Sequence, residues 1–304
     1  MRKKRLHKVK IKSRKRFIFC TTVIIILFSA MLFNQKSSLL NKNGSSSILL
    51  SNTSDGSSSE KLKPTANSNQ DNTLQAGGNK EKAEEILSVK AEEVYNFGRS
   101  NGKKYAFLTF DDGPNTSITP KILDILKKYK IHATFFVVGN AVDKNPQILK
   151  QISDDGHAIG NHTYSHNYKV LYPHRNVDVQ VFKSQIQQTN NAIGNALGKT
   201  VSTRIIRFPA GSFESWKKPM REDLIKNGMY FVDWNAENRD GVKNNVSVAE
   251  QLSTIKGQIT TAESSKNNVV ILMHDTVTKQ TTVDALPSII ELLKSEGYEF
   301  GIIK

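Results

Sequence analysis

The chain has 304 residues and a formal net charge of +15, with 43 basic and 28 acidic side chains. The charge is uneven, because residues 1–16 contain ten Lys or Arg and no acid, whereas the other 288 residues carry a balance of +5. A protein that tracks nucleic-acid phosphates carries its basic residues on the folded body. The composition therefore argues against nucleic acid as a partner.

Residues 17–33 follow this basic arm and contain no charged side chain. Their number is at the short end of the range for a membrane-spanning helix, roughly 17–25 residues. The adjoining basic cluster predicts that the N-terminus stays in the cytoplasm and that the rest of the chain is exported. We expect an uncleaved transmembrane signal anchor, and hence a single-pass protein of the cell membrane whose folded domain is extracellular.

Secretion after cleavage of a signal peptide is the alternative. The uncharged run is longer than the usual apolar region of a signal peptide, about 7–15 residues, and no clean A-x-A cleavage site follows it. Cys20, the single cysteine, lies inside this run, so the exported body contains no disulfide. That body must depend on its hydrophobic core alone.

Residues 34–80 are rich in Ser and Asn and contain no aromatic side chain. Such a composition cannot bury enough apolar surface to offset the entropy of the chain, which predicts a flexible, disordered linker. Residues 81–99 are rich in Lys and Glu, and we predict that they form a charged helix leading into the folded body.

From residue 100 to residue 304, short β-rich runs alternate with helix-like segments such as residues 119–130 and 283–297. The seven predicted strands are "KYAFLTF", "ATFFVVG", "HAIGN", "RIIRFP", "YFVDWN", "NVVILMHD" and "EFGII". Alternating strands and helices imply a parallel sheet. Seven such units favour a closed or nearly closed barrel, with the chemistry at the carboxyl ends of the strands.

Charged and imidazole side chains follow the predicted strands at that end. The first strand leads into Asp111–Asp112, and the third leads into His162 and His166. Another strand ends at Arg207, and the sixth ends at His274. Because the strand ends of a barrel meet at one rim, we expect these side chains to gather there.

The four-residue spacing of His162 and His166 would place both rings on one face of a helical turn. A carboxylate from Asp111–Asp112 would complete a set of three protein ligands with an open position, which describes a catalytic metal site. Two exposed histidines and a polar Asp-Gly-Pro turn are the alternative interpretation of the same residues.

The motifs "TFDDGP", "HTYSH", "RFPAG", "ENRD" and "ILMHD", in this order, closely resemble those of the polysaccharide deacetylases, the NodB-homology family. The resemblance covers residues 103–304. It implies a distorted (β/α)7 barrel that uses a divalent metal to remove N- or O-acetyl groups from polysaccharides. Zinc is the expected metal, with cobalt and nickel as alternatives.

The resemblance also implies roles for individual residues. Asp111 matches the general base and Arg207 the residue that holds it, whereas His274 matches the general acid. Asp240 matches the carboxylate that orients this acid. The residues that match the metal ligands are Asp112, His162 and His166.

Three residues are expected to bind substrate. Ala210 matches the position whose backbone amide binds the oxyanion, and Leu272 matches the lining of the acetyl-methyl pocket. Trp216, in the loop after Arg207, is expected to stack on a sugar ring, whereas Trp234 is expected to pack in the core.

The motifs depart from the family pattern at three positions. Asn167 replaces a Pro after the second histidine, Ala210 replaces a frequent Tyr, and Gly241 replaces a common Trp. The loss of Trp is expected to leave the acetyl pocket less enclosed. These departures bear on the choice of substrate more than on the type of reaction.

The leading hypothesis is a membrane-tethered, metal-dependent hydrolase of a Gram-positive cell surface. It would remove N-acetyl groups from N-acetylglucosamine residues of cell-wall polysaccharide, with peptidoglycan glycan strands as its partner, and we expect a monomer. The alternatives are a deacetylase of chitin-like oligomers, exopolysaccharide or O-acetyl xylan, or an inactive carbohydrate-binding relative.

Overall fold

The structure is a computed structural model that describes residues 85–97, 102–260 and 267–304. The predicted arm, anchor and linker, residues 1–80, lie outside these ranges. Within them, no helix has the length and apolar character needed to cross a membrane.

Parallel strands form the centre of the described chain. Numbered along the sequence, they are β1 (Ser88–Val89), β2 (Lys104–Asp111), β3 (Thr134–Val137), β4 (Ala158–Asn161), β5 (Ile205–Ile206), β6 (Tyr230–Phe231), β7 (Ala236–Glu237), β8 (Asn268–His274), β9 (Tyr298–Phe300) and β10 (Ile302–Ile303). Each of the seven strands predicted from the sequence overlaps at least one of them. The two-residue strands β1 and β7 were not predicted.

Helices connect most of these strands. They are α1 (Thr119–Tyr129), α2 (Gly139–Lys144), α3 (Pro146–Asp154), α4 (Tyr168–Leu171), α5 (Val179–Leu197), α6 (Lys218–Lys226), α7 (Val248–Thr260) and α8 (Gln280–Ser295). The predicted start of α8 near residue 283 is wrong, because the helix begins at Gln280 and Pro287 lies inside it.

The main sheet has the strand order β6-β5-β4-β3-β2-β8-β7, with β9 pairing beside β2. Its two edges, β6 and β7, are consecutive in the chain but do not pair with each other in the part of the chain described. The sheet is therefore a curled, open half-barrel. The predicted α/β fold with a parallel sheet is confirmed, and the prediction of a closed or nearly closed barrel is corrected.

Residues 232–235, which we call the bridging segment, run between the two edges of the sheet. At one end, the Val232 N–H donates to the Ile206 carbonyl of β5 over 2.9 Å. At the other end, the Asn235 N–H donates to the Val270 carbonyl of β8 over 3.1 Å. Two consecutive strands can pair in parallel only through a crossover connection of about a dozen residues or more, and four residues are too few, so the sheet stays open here.

The side chains of β2 alternate between two hydrophobic clusters. Ala106, Leu108 and Phe110 pack in the cluster that contains the buried sides of helices α1 and α8. Tyr105 and Phe107 pack in the other cluster, inside the curl. Because side chains alternate along a strand, the same parity directs Asp111 at the end of β2 toward the inside of the curl.

The prediction of a charged helix over residues 81–99 is wrong for the described residues 85–97. This stretch forms β1, which pairs in parallel with β10, followed by a turn over residues 91–97. Val89 and Val94 are buried, and the Asn268 side-chain amide donates to the Val94 carbonyl over 2.7 Å. Tertiary packing thus overrides the helix propensity of the Lys and Glu residues, and the folded unit begins before the predicted boundary at residue 100.

Val94→Ala tests whether this N-terminal stretch belongs to the core. Val94 is 0% exposed, so we expect the substitution to lower the free energy of unfolding by about 2 kcal/mol. Urea unfolding followed by tryptophan fluorescence measures the change. The matched control is Val277→Ala, at a side chain that is 64% exposed. Equal stability of the two variants would contradict the assignment.

Candidate active site

Arg207 lies at the end of β5 with its guanidinium fully buried inside the curl. Its Nη1 donates to Asp111 Oδ1 over 2.9 Å and to Thr109 Oγ1 over 2.7 Å. Its Nε and Nη2 donate to the carbonyls of Val232 and Asp233, over 2.9 and 3.2 Å. One cation therefore joins strand β2 to the bridging segment and fixes one oxygen of Asp111.

Asp111 is 2% exposed, and its second oxygen, Oδ2, lies 3.7 Å from His162 Nε2. Burial raises the pKa of Asp111, while the charges of Arg207 and His274 oppose that shift. A buried carboxylate with one oxygen held and the other directed at the site has the geometry of a general base.

Asp112 diverges from Asp111 because its backbone is left-handed, with φ of 81°. This conformation is uncommon outside glycine, and the next residue packs closely against Asp275. A Cβ on Gly113 would lie 2.1 Å from Asp275 Oδ2. The Asp-Asp-Gly sequence therefore needs its glycine so that the turn can pack against Asp275.

Asp112, His162 and His166 form a cluster whose candidate ligand atoms all lie within 4.8 Å of one another. Asp112 Oδ1 is 3.5 Å from His162 Nε2 and 3.3 Å from His166 Nε2. This oxygen is buried and has no hydrogen-bond partner among the described residues. A buried carboxylate oxygen without a donor, facing two imidazole nitrogens, fits a bound cation.

The protonation of His162 also suits metal binding. Its Nδ1 lies 2.8 Å from the Arg207 carbonyl, which can accept but not donate, so Nδ1 carries the hydrogen and the Nε2 lone pair faces the site. Burial lowers the pKa of His162 to about 3, with the charge of His166 acting in the same direction. The ring is therefore neutral at neutral pH.

The expectation that the two histidines share a helical turn is wrong. Residues 162–166 form a bend, in which Thr163 and His166 have left-handed backbones with φ of 67° and 51°. The bend brings the two ring centroids to 4.8 Å. A carboxylate and two imidazoles with an open position are a donor set that zinc prefers.

His274 ends β8 directly opposite Asp111 in the β2–β8 register. Its Nδ1 lies 2.6 Å from Asp240 Oδ1, and its backbone N–H donates to Asp240 Oδ2 over 2.9 Å. Thr282 Oγ1 donates to the same Oδ2 over 2.7 Å. The Asp240 carboxylate thus orients the ring, with Nδ1 protonated and Nε2 left for the substrate.

The electrostatics of this pair favour a charged imidazole. Burial opposes protonation of the ring, but the hydrogen bond and charge of Asp240, with the charges of Asp111 and Asp112, raise the pKa of His274 to about 9. Burial also opposes ionisation of Asp240, but the hydrogen bonds from His274 and Thr282 lower its pKa overall.

Gly241 lies against the ring of His274. A Cβ at Gly241 would lie 2.7 Å from His274 Cε1, a distance that would force the ring to move. The sequence indicated an acetyl pocket left open by the missing Trp. In the structure, the absence of a side chain at Gly241 leaves space for the His274 ring, which Asp240 holds in place.

These groups face one cavity of about 370 Å³. Its lining residues are Asp111, Asp112, His162, His166, Tyr168, Phe208, Ala210, Trp234, Glu237, Gly241, Val242, Leu272, His274, Thr276 and Lys279. The cavity thus brings together the predicted base, acid, metal ligands, oxyanion amide and methyl-pocket residue, while Arg207 and Asp240 lie behind it.

The predictions for the two tryptophans are wrong: Trp216, expected at the substrate, is packed away from the cavity, and Trp234, expected in the core, lines it. Trp216 does not line the cavity; its ring packs edge-on against Tyr172 at 5.1 Å between centroids. Trp234, in the bridging segment, lines the cavity and packs edge-on against Phe213 at 5.3 Å. Tyr168 also lines it and was missed, although its place two residues after a predicted ligand was a usable signal.

Comparison with known proteins agrees with this geometry. The profile of the polysaccharide deacetylases matches residues 98–232. A peptidoglycan-N-acetylglucosamine deacetylase of Bacillus cereus is 33% identical over 204 residues, which are 66% of this chain and 71% of that protein. The chain belongs to the polysaccharide deacetylase family.

Two solved structures show how this family varies. A CE4 esterase of Streptococcus mutans matches with a TM-score of 0.65 and 37% identity, covering 72% of this chain and 92% of that chain. A CE4 family pseudoenzyme from Bacillus anthracis matches with a TM-score of 0.53 and 27% identity, covering 66% of this chain and 64% of that one. Activity in a polysaccharide deacetylase therefore has to be argued from the side chains of its own site.

His166→Asn tests the metal cluster. Loss of one of three ligands should weaken zinc binding by more than tenfold, measured by competition with a chromophoric chelator. His174→Asn is a matched control, because His174 is exposed and its φ of 52° is close to the 51° of His166. Asn tolerates this backbone at both positions. Equal zinc affinity in the two variants would contradict the proposed ligand set.

The pKa of His274 can be measured in the metal-free protein by NMR titration. One imidazole should titrate near pH 9, and Asp240→Asn should return it toward 6.5, its ordinary value. Because the folded pKa is the higher one, the charged pair adds to the free energy of unfolding below pH 6.5, and this contribution is lost as the pH rises through 9.

Asp284→Asn is the control for that titration, because Asp284 is an exposed carboxylate on the same helix as Thr282. It should leave the titration near pH 9 unchanged. If the wild-type protein showed no imidazole titrating above pH 8, the structural role given to Asp240 would be wrong.

Proposed function

We propose that the chain removes N-acetyl groups from N-acetylglucosamine residues of cell-wall polysaccharide, with peptidoglycan as the substrate. One observation carries the proposal. Asp111, held by Arg207, and His274, held by Asp240, end the neighbouring strands β2 and β8 at the same edge of the sheet, and both face the cavity that holds the three-ligand cluster. A buried base and a charged acid on either side of a cation site suit hydrolysis of an amide.

Asp112, His162 and His166 would hold the ion, for which we propose zinc. When bound, such an ion acts as a Lewis acid on the amide carbonyl and lowers the pKa of water. Arg207 holds Oδ1 of Asp111, so that Oδ2 is free to accept a proton from the attacking water. The buried position of Asp111 limits competition from bulk water for that oxygen.

The remaining groups act on the substrate. The backbone N–H of Ala210, which lines the cavity, donates to the oxygen that develops negative charge, and such donors commonly contribute about 2.7–4 kcal/mol. Leu272 offers an apolar surface to the acetyl methyl group. His274 donates its Nε2 proton to the sugar nitrogen as the C–N bond breaks, while Asp240 stabilises the ring in its charged form.

We further propose that the enzyme is a monomer held at the outer face of a Gram-positive cell membrane. The support lies in the sequence, where a basic arm, residues 1–16, precedes the uncharged residues 17–33. Residues 34–80 would then act as the tether between the bilayer and the catalytic domain.

Acetate release by the full chain tests the reaction. We expect zinc-loaded protein to release acetate from peptidoglycan and from N-acetylglucosamine oligomers, and a chelator to stop it. Asp111→Asn should lower kcat at least 100-fold, the scale of general base catalysis. Asp124→Asn, an exposed carboxylate on α1, is the matched control and should keep full activity.

The result also discriminates among the alternatives. Release from one polymer but not from the other would identify the substrate class. Bound glycan without acetate release, in a protein with zinc in its site, would identify a carbohydrate-binding relative and overturn the proposal.

A further inference from the structure

Lys217 is a buried cation outside the groups used above. It ends the short 3-10 helix Ser215–Lys217, and the residue is 1% exposed. Its Nζ donates to the carbonyls of Pro209 over 3.0 Å and Ala210 over 3.4 Å, and also to the carbonyl of Gly211. Three consecutive carbonyls of the loop that carries Ala210 thus converge on one ammonium group.

The charge of Lys217 is compensated by carbonyls and aromatic rings rather than by an ion pair. No carboxylate among the described residues forms a salt bridge with it, and burying a charge without compensation is costly. The ring of Tyr172 lies 4.5 Å from Nζ and that of Trp216 lies 5.1 Å away, so both supply cation–π contacts. Burial lowers the pKa of Lys217 to about 8, against the charges of Asp233 and Glu214, so the ammonium form still predominates at neutral pH.

The planarity of the peptide bond links these carbonyls to the cavity. In a trans peptide, the C=O of one residue and the N–H of the next point in opposite directions. The Pro209 carbonyl accepts from Lys217 Nζ and also from the Tyr172 hydroxyl, over 3.1 Å. The Ala210 N–H therefore points away from Lys217. No described residue accepts a hydrogen bond from it, and Ala210 lines the cavity.

The backbone of this loop is a turn, closed by a hydrogen bond from the Gly211 N–H to the Phe208 carbonyl over 2.8 Å, and Lys217 adds to that restraint. Ala210 has φ of 59°, a left-handed conformation that is uncommon for a residue with a Cβ. Unfavourable backbone conformations persist where surrounding contacts hold them in place. Lys217 supplies contacts to the residue before Ala210, to Ala210 itself and to the residue after it.

We propose that Lys217 is a positioning residue, which holds the peptide between Pro209 and Ala210 so that the Ala210 N–H is aimed at the oxyanion of the reaction. Tyr172 assists through the same carbonyl. The inference rests on the proposed function, because it concerns a donor to the transition state. It predicts an effect on kcat rather than on substrate affinity, since the ground-state carbonyl depends less on this donor.

Lys217→Met in the full chain tests the proposal, because it removes the ammonium and keeps an apolar stem against Tyr172 and Trp216. We expect kcat to fall tenfold or more with KM within twofold of wild type, as part of the 100- to 1,000-fold effect of losing an oxyanion donor. Lys218→Met is the matched control, at the neighbouring exposed lysine, and should change neither constant. An unchanged kcat in folded Lys217→Met would overturn the proposal, and so would equal losses in both variants.

Rescue separates positioning from a general loss of structure. Lys217→Cys, made together with Cys20→Ser so that it is the only thiol, can be aminoethylated in the unfolded state to restore an amine at the same chain length. Recovery of kcat on refolding supports the proposal, and a refolded, aminoethylated protein as slow as the unmodified variant opposes it.

If Lys217→Met does not fold, Tyr172→Phe tests the same carbonyl, because it removes the second donor to Pro209. It should lower kcat with KM unchanged, and an unaltered kcat would oppose the proposal.

A measurement without substrate keeps this proposal distinct from the proposed function. If the wild-type chain released no acetate, the proposed function would fail, but the backbone of Ala210 and Gly211 could still be followed by ¹⁵N relaxation. We expect the ps–ns motion of both amides to increase in Lys217→Met and to be the same as in the wild-type protein in Lys218→Met. Equal rigidity in the two variants would show that Lys217 does not hold the loop.

Discussion

The buried guanidinium of Arg207 is the interaction on which the rest of the site depends. It bonds to strand β2 through Thr109 and Asp111, and to the bridging segment through two carbonyls. Its own carbonyl accepts from His162 and so sets the tautomer of a candidate metal ligand. An open sheet has no strand pairing across its gap, and here a charged side chain supplies part of that connection. The hydrogen bonds of Arg207 therefore both fix the bridging segment and position the Asp111 carboxylate.

Left-handed backbone is a second theme of the site. Asp112, His166 and Ala210 all have positive φ, at 81°, 51° and 59°. Each supplies a candidate metal ligand or the candidate oxyanion donor, and each carries a Cβ that disfavours the conformation. The surrounding packing has to stabilise these conformations, and the close fit of Gly113 against Asp275 and the contacts of Lys217 are two ways in which it does so.

The sequence was informative where chemistry and strand ends coincide. Asp111, His162, Arg207 and His274 follow hydrophobic runs long enough to recognise, so a shared rim could be predicted from the alternation of elements alone. Trp216 and Trp234 could not be placed in this way, because their surroundings are set by residues distant in sequence. Trp216 packs against Tyr172, and Trp234 lies in the bridging segment, which bonds to β5 and β8. The N-terminal stretch was mistaken for a helix because its charged residues dominate the local pattern, whereas Val89 and Val94 are buried by tertiary contacts.

The pairing of β1 with β10 has a mechanical consequence for the membrane attachment proposed above. The Ala91 N–H donates to the Lys304 carbonyl, and the Lys304 N–H donates to the Val89 carbonyl, so the last residue of the chain is bound to the stretch where the folded unit begins. Tension on the upstream chain would load this small two-stranded pair before it reached β2 and the catalytic strands. Such a force would then separate the N-terminal stretch, residues 85–97, from β10, while the half-barrel and its cavity remain folded.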